Sequence, residues 1–216
     1  MIAIDGPSGA GKGTLARTVA ERLGYTHVDT GAMYRAVAWK ALEEGVPLDE
    51  DALVAKLAHR ALYEQADGRI TIDGHDVTRA IRTPEIDKAA ASVARLPHVR
   101  EELVRQQRHM GAGGAVVMEG RDIGTVVFPS ADLKLYIDAS AEERARRRAS
   151  DPAHAGMPAA VSDVAKMMTE RDRSDSTRTA SPLYAAPDAI VVDTTGKNVE
   201  EVVRDVLAVV RRKSEI

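Results

Sequence analysis

The sequence predicts an α/β fold, a parallel sheet covered by helices on both faces with a small antiparallel sheet inserted. Three observations carry that expectation. Short apolar runs alternate with helical patterns along most of the 216 residues, the grammar of right-handed βαβ crossovers. The first run feeds a glycine-rich loop, Gly6-Pro7-Ser8-Gly9-Ala10-Gly11-Lys12-Gly13-Thr14, with a helical pattern directly behind it. From about Ala61 to Val77 the residues alternate instead, and Asp67-Gly68 and Asp73-Gly74 are hairpin-turn signals.

The elements follow in order. Behind the loop, Leu15, Ala16, Val19, Ala20 and Leu23 share one helical face, and Gly24 ends it. Thr26 to Asp29 reads as a strand, and Thr30 as the cap of a helix carrying Val37, Ala38, Ala41 and Leu42. A weaker helix spans about Glu50 to Ala58, before the alternating insertion. Helices resume at Pro84 and Pro97, both suited to a first turn. Ala115–Glu119 and Leu133–Ile137 are apolar strands of a doubly covered sheet. Ser140 opens a charged helix ending in Arg146-Arg147-Arg148, and residues 150–161 read as a connection without periodicity. A helix from about Ser162 gives way to a charged segment through Arg178; strand Ala189–Asp193 and a helix with Val199, Val202, Val203, Val206 and Val210 close the chain.

The loop matches G-x-x-x-x-G-K-[ST] at Gly6, Gly11 and Lys12, except that Gly13 takes the Ser/Thr place and Thr14 follows. Glycines let successive backbone N–H groups turn toward phosphate oxygens, and the following helix adds its positive end. Lys12 can reach the terminal phosphates and a hydroxyl can help hold Mg²⁺, so the expected ligand is a nucleoside triphosphate.

Composition narrows the remaining classes. A hydrophobic share of 44% and a charged share of 29% are those of a globular protein, and 216 residues suit one sizeable domain or one with a smaller insertion. A net charge of −3 offers no general attraction to nucleic acid or anionic membrane. With no cysteine there is no disulfide scaffold or thiolate chemistry, and with no long apolar run or basic-then-apolar leader a cytosolic protein is expected. The six histidines show no metal-site spacing and read as structural or solvated. Gly111 to Gly114 precedes a strand, so it is a turn rather than a second phosphate loop.

Three further constellations point to a second ligand. In Asp29-Thr-Gly-Ala-Met-Tyr-Arg35, Arg35 sits one turn into a helix and is either a phosphate clamp or a surface arginine. In Glu119-Gly-Arg-Asp-Ile-Gly-Thr125, Arg121 and Asp122 offer a cation for phosphate and a carboxylate for an amino group, or a local ion pair. Glu170 to Arg178 is dense in both signs, and residues 141–178 balance to +1, which argues against a nucleic-acid stripe. Its arginines suit phosphate ligands or a solvated face of helical pairs.

Taken in order, G-P-S-G-A-G-K-G-T, D-T-G-A-M-Y-R, I-R-T-P-E, P-x-V-R, E-G-R-D-I-G-T-V-V-F-P and E-R-D-x-x-D-x-x-R closely resemble bacterial cytidylate kinases, from Ile4 to about Val210. The loop is shared with many nucleotide kinases; the later motifs are far more specific. The resemblance implies a P-loop nucleoside monophosphate kinase fold with a five-stranded parallel core sheet. It divides the chain into a core (1–29, 84–148 and 179–216), a monophosphate-binding region (30–83, with an inserted sheet at about 61–77) and a lid region (149–178). The implied reaction moves the terminal phosphoryl group of ATP to CMP or dCMP with Mg²⁺ as cofactor; nothing in the sequence demands more than a monomer, and neither nucleic acid nor membrane is expected as a partner.

Carried over residue by residue, the resemblance puts ATP on Gly6 to Thr14, with Thr14 toward Mg²⁺ and Lys12, Arg121 and Arg178 as catalytic groups. Arg35, Arg121 and Arg178 would surround the acceptor phosphate, Arg100 and Asp122 would face the cytosine, and Arg171, Asp175 and Thr30 would hold the sugar. Four-then-three spacing lets one helical face present Arg171, Asp175 and Arg178. The lid is expected near 150–161, with Arg147 or Arg148 on the triphosphate. Two departures stand out: Ala91 occupies a position where the family often has a base-contacting serine, with Ser92 beside it, and Thr30 stands where serine is frequent. Rival readings are a kinase for UMP, AMP or shikimate, and a nucleotide-dependent switch or RNA-binding ATPase.

Overall fold

The computed structural model describes residues 1–66, 68–151 and 160–214. The described residues hold eight strands and eight α-helices, alternating except around the antiparallel insertion and in the helix pairs. The strands are β1 (Ile2–Asp5), β2 (Thr26–Asp29), β3 (Tyr63–Ala66), β4 (Arg69–Ile72), β5 (His75–Asp76), β6 (Val116–Glu119), β7 (Leu133–Asp138) and β8 (Ile190–Asp193). The helices are α1 (Lys12–Leu23), α2 (Thr30–Glu43), α3 (Asp51–Arg60), α4 (Pro84–Val93), α5 (Pro97–Gly111), α6 (Ala141–Ala149), α7 (Val161–Thr177) and α8 (Val199–Ser214).

Strands β2, β6, β1, β7 and β8, in that order, form a parallel sheet, and β3, β4 and β5 an antiparallel one. Apolar residues cover both faces of the large sheet. On one, Ile2, Ile4, Leu135 and Ile137 pack with Leu15 and Val19 of α1 and Val203 and Val206 of α8. On the other, Ala3, Val28 and Met118 meet Val104 of α5 and Ile123. The small sheet buries Ile70 and Ile72 against Ala32 and Ala36 of α2. Gly24 stops α1 in the left-handed region, and Asp73 and Gly74, both at positive φ, turn β4 into β5. Of the other hairpin signal only Gly68 is described; Asp67 lies outside the described residues.

Two local expectations are corrected. Asp29, not Thr30, caps α2: its carboxylate accepts the Ala32 N–H at 3.0 Å, because Asp29 keeps extended backbone and Thr30 is already helical. The charged segment from Glu170 is no separate stretch but the last turns of α7, with Arg178 just beyond its end. The lid connection near 150–161 falls largely on 152–159, outside the described residues.

Candidate active site

Adjacent loops leave the carboxyl ends of β1, β2 and β6, the place where an open parallel sheet presents polar groups to a ligand. The loop after β1 turns back under β7. At Gly6 φ is +146°, and a Cβ there would lie 2.0 Å from the Ile137 carbonyl oxygen, so no larger residue fits. Carbonyls of the loop are satisfied by side chains: Arg144 Nη1 donates to Ser8 O at 3.1 Å and Thr194 Oγ1 to Ala10 O at 3.2 Å from outside, and the loop's own Lys12 Nζ to Pro7 O at 2.7 Å. Gly11, at φ 91°, caps α1 with no side chain, which leaves the first-turn N–H groups to an anion.

Lys12 is buried, and desolvation, then the Arg121 charge, lowers its pKa to about 7. Asp5, at the end of β1, accepts the N–H groups of Ile123 (2.8 Å) and Gly124 (2.7 Å). Burial raises its pKa to about 6 against those hydrogen bonds. Through this carboxylate β1 holds the turn that follows β6, and so sets where Arg121 and Asp122 emerge.

Arg121 and Asp122 are not paired with each other. Arg121 Nε donates to Asp175 Oδ2 of α7 at 3.1 Å, while Asp122 accepts Arg100 Nη2 of α5 at 2.5 Å in a buried ion pair. The Arg100 guanidinium also lies 5.4 Å from the centre of the Tyr34 ring. Arg178, whose pKa is lowered by burial and then by Arg100, donates through Nε to Ser181 O at 2.6 Å and reaches Asp175 at 3.5 Å. Burial and then the charges of Arg121 and Arg35 pull Arg171 down to about 10. Asp175 is held low despite its burial, because Arg121, Arg171 and Arg178 surround it. Thr30 donates its hydroxyl to Glu119 O at 2.7 Å, joining β2 to β6.

Loop residues Ser8 to Thr14 and every acceptor-side residue expected from the sequence line one cleft of about 1890 Å³. That is above the roughly 300–1,000 Å³ of a single small-ligand pocket. Gly6 and Pro7 lie beneath it as the support of the loop. Arg171 and Asp175 share α7, whereas Arg178 joins them from beyond the helix end. The two arginines of α6 separate: Arg147 donates to Thr194 Oγ1 (3.0 Å) and Thr194 O (2.7 Å) beside the loop, while Arg148 reaches across to Asp87 of α4. Ala91 lines the cleft; Ser92 is exposed with its hydroxyl turned to Lys88 O, so it does not replace the missing serine.

Several further groups, some of them inside the motifs quoted above, have partners that the motifs do not announce. Glu119 Oε1 lies 3.1 Å from His27 Nε2, within hydrogen-bond reach, and stands next to Gly13, where a Cβ would meet it at 3.2 Å. His27 thus belongs to the cleft rather than to the bulk of structural histidines. Arg82 donates to Asp29 at 3.1 Å, and Gln65 of the inserted sheet accepts the Asp29 N–H at 3.1 Å. Among the described residues no cluster of histidines and carboxylates could hold a metal ion by itself. The exposed Thr14 hydroxyl at the cleft fits a cation carried mainly by phosphate oxygens and water, the usual manner for Mg²⁺.

Comparison with known proteins agrees with this geometry. The cytidylate kinase family model matches residues 2–212. The chain is 48% identical to a cytidylate kinase of Desulfitobacterium hafniense (strain Y51), over 100% of this chain and 94% of the relative. It is 50% identical to one of Pelotomaculum thermopropionicum, over 96% and 94%. Among solved structures, a gluconokinase from Sinorhizobium meliloti 1021 superposes with TM-score 0.52 at 18% identity, covering 99% and 93% of the two chains. A shikimate kinase from Bacteroides thetaiotaomicron gives 0.51 at 11%, covering 97% of each, a likeness of fold alone. With the phosphate loop, the arginine-lined cleft and a family match over almost its whole length, the chain belongs to the cytidylate kinase family.

Proposed function

We propose that the chain transfers the terminal phosphoryl group of ATP to CMP or dCMP, giving ADP and CDP or dCDP, in one in-line step. The observation that carries this reading is the meeting of Lys12 and its loop with Arg35, Arg121, Arg171 and Arg178 in a single cleft. Phosphoryl transfer asks mostly for alignment and charge neutralisation, and no covalent protein intermediate is needed.

The loop N–H groups and Lys12 hold the ATP phosphates, and Arg147, fixed beside Ala10 and Thr194, borders the donor side. Thr14 would hold Mg²⁺ together with those phosphates; the ion, when bound, neutralises charge developing on them. Arg35, Arg121 and Arg178 bind the acceptor phosphate. The Arg35 charge is secured because Asp29 and Asp87 outweigh its desolvation. Arg100 and Asp122 read the cytosine, guanidinium to ring acceptors and carboxylate to exocyclic amine. Arg171, Asp175 and Thr30 border the sugar. The core, the monophosphate-binding region (30–83) and the lid region (149–178) act as the three working parts, the lid excluding water from the transfer.

No helix among the described residues is long and apolar enough to cross a membrane. The reading is of a cytoplasmic monomer working on small substrates. A coupled ADP-release assay with ATP and Mg²⁺ tests the reading against CMP, dCMP, UMP, AMP and no acceptor. Turnover with CMP and dCMP above the others is expected. Equal turnover with UMP would remove the base-reading role of Asp122, and acceptor-independent hydrolysis alone would replace the kinase by a nucleotide switch.

A further inference from the structure

Asp87 is a buried carboxylate on α4 that touches arginines from two other helices. Its Oδ1 accepts Arg35 Nε of α2 at 3.1 Å, and its Oδ2 accepts Arg148 Nη2 from the last turn of α6. Arg35 Nη1 is buried with no hydrogen-bond partner among the described residues, and Asp29 Oδ2 lies 4.0 Å from it. A guanidinium held at Nε is restrained in how it can turn, while its terminal N–H groups stay free for another partner.

We infer that Asp87 is a positioning residue for the acceptor phosphate, holding the Arg35 fork by one edge and drawing Arg148 to the same carboxylate. The inference rests on the acceptor-phosphate role proposed for Arg35. The surroundings show why a carboxylate is suited to this place. Arg148 is already disfavoured as a cation by burial and by its neighbours Arg35 and Arg121, and Arg171 stands in the same field. Without a nearby negative charge the side chains would repel one another out of a shared geometry. Arg148 follows directly on Arg147, which is anchored at the phosphate loop, so Asp87 also links the loop side of the cleft to the acceptor side.

The charge effect and the positioning effect have opposite signs, which makes the test sharp. Deleting a buried carboxylate from behind the arginines of the cleft strengthens phosphate binding by charge alone. Loss of orientation at Arg35 weakens it. A purely structural Asp87 would lower thermal stability and the active fraction while leaving KM in place. The experiment measures KM for CMP, KM for ATP and melting temperature in Asp87→Ala, Arg35→Ala and the double variant. We expect Asp87→Ala to raise KM for CMP about tenfold, the size of a lost charge-assisted hydrogen bond, with KM for ATP little changed. In the Arg35→Ala background the same substitution is expected to add little, because Asp87 acts through Arg35.

The isosteric Asp87→Asn, expected to raise KM for CMP in the same direction, serves if the alanine variant does not fold. An unchanged or lowered KM for CMP in a folded Asp87 variant, where Arg35→Ala raises it, overturns the inference and leaves the role of Arg35 standing. A full Asp87 effect persisting without Arg35 overturns it equally. An Arg35→Ala enzyme with unchanged KM for CMP overturns the role of Arg35 and this inference together.

Discussion

Lys12 makes the binding of ATP a proton-uptake reaction. In the ligand-free chain its ammonium is buried, next to Arg121, and its pKa falls from 10.5 to about 7. Phosphate oxygens at the loop would restore the charged form. At about pH 8 only about one tenth of the free enzyme carries the proton, so saturation with ATP should take up about 0.9 proton per site. At about pH 7 the uptake falls to about half a proton and at about pH 6 to about a tenth. Asp5, with a pKa of about 6, titrates at the lower end of this range and is ionised at pH 8, which makes pH 8 the clean condition. The assay is calorimetric titration of MgATP at pH 8 in two buffers of different ionisation enthalpy, where the enthalpy difference yields the protons taken up. The stability trend runs the other way. A depressed lysine pKa means that the unfolded chain binds more protons between about 7 and 10.5, so through Lys12 the ligand-free fold gains stability as pH rises across that window. ATP affinity should meanwhile fall by up to about tenfold per pH unit above 7. Uptake near zero at pH 8, with no such fall in affinity, would refute the idea that Lys12 waits uncharged for its ligand.

Two substitutions probe the walls of the cleft. Gly6→Ala forces a Cβ to within 2.0 Å of a carbonyl oxygen on a paired strand, and should destabilise the chain by more than about 3 kcal/mol. A urea midpoint equal to that of the parent would show that the loop can shift away from β7. Ala91→Ser restores a hydroxyl to the cleft wall and should lower KM for CMP about fivefold, near the net worth of one hydrogen bond, with kcat little changed. An unaltered KM in the same assay would mean that position 91 does not reach the base.

The fold was legible because its signals are local. The glycine loop, the apolar runs and the Asp73-Gly74 turn each dictate backbone within a few residues, and the five parallel strands and the three-stranded insertion follow. Where the local reading failed, the failure was also local. Thr30 and Asp29 are both good caps, and only the extended backbone of Asp29 decides between them. The arginines of the cleft could be listed from motifs, but their partners could not. Adjacent Arg121 and Asp122 invite each other on paper, yet their side chains pair with Asp175 and Arg100, 54 and 22 residues away. No motif assigns a role to Asp5, Asp87 or Glu119, since their work lies in contacts between elements distant in the chain. Arg147 and Arg148, indistinguishable as neighbours in a basic run, are told apart by the opposite walls they touch.

The central claim is that one cleft holds donor and acceptor together and passes the phosphoryl group directly between them. Initial velocities measured across a grid of ATP and CMP concentrations test it most directly. Direct transfer predicts double-reciprocal lines that intersect, with no exchange of label between ATP and ADP when CMP is left out. Parallel lines accompanied by that exchange would reveal a phosphorylated enzyme, and would contradict the account.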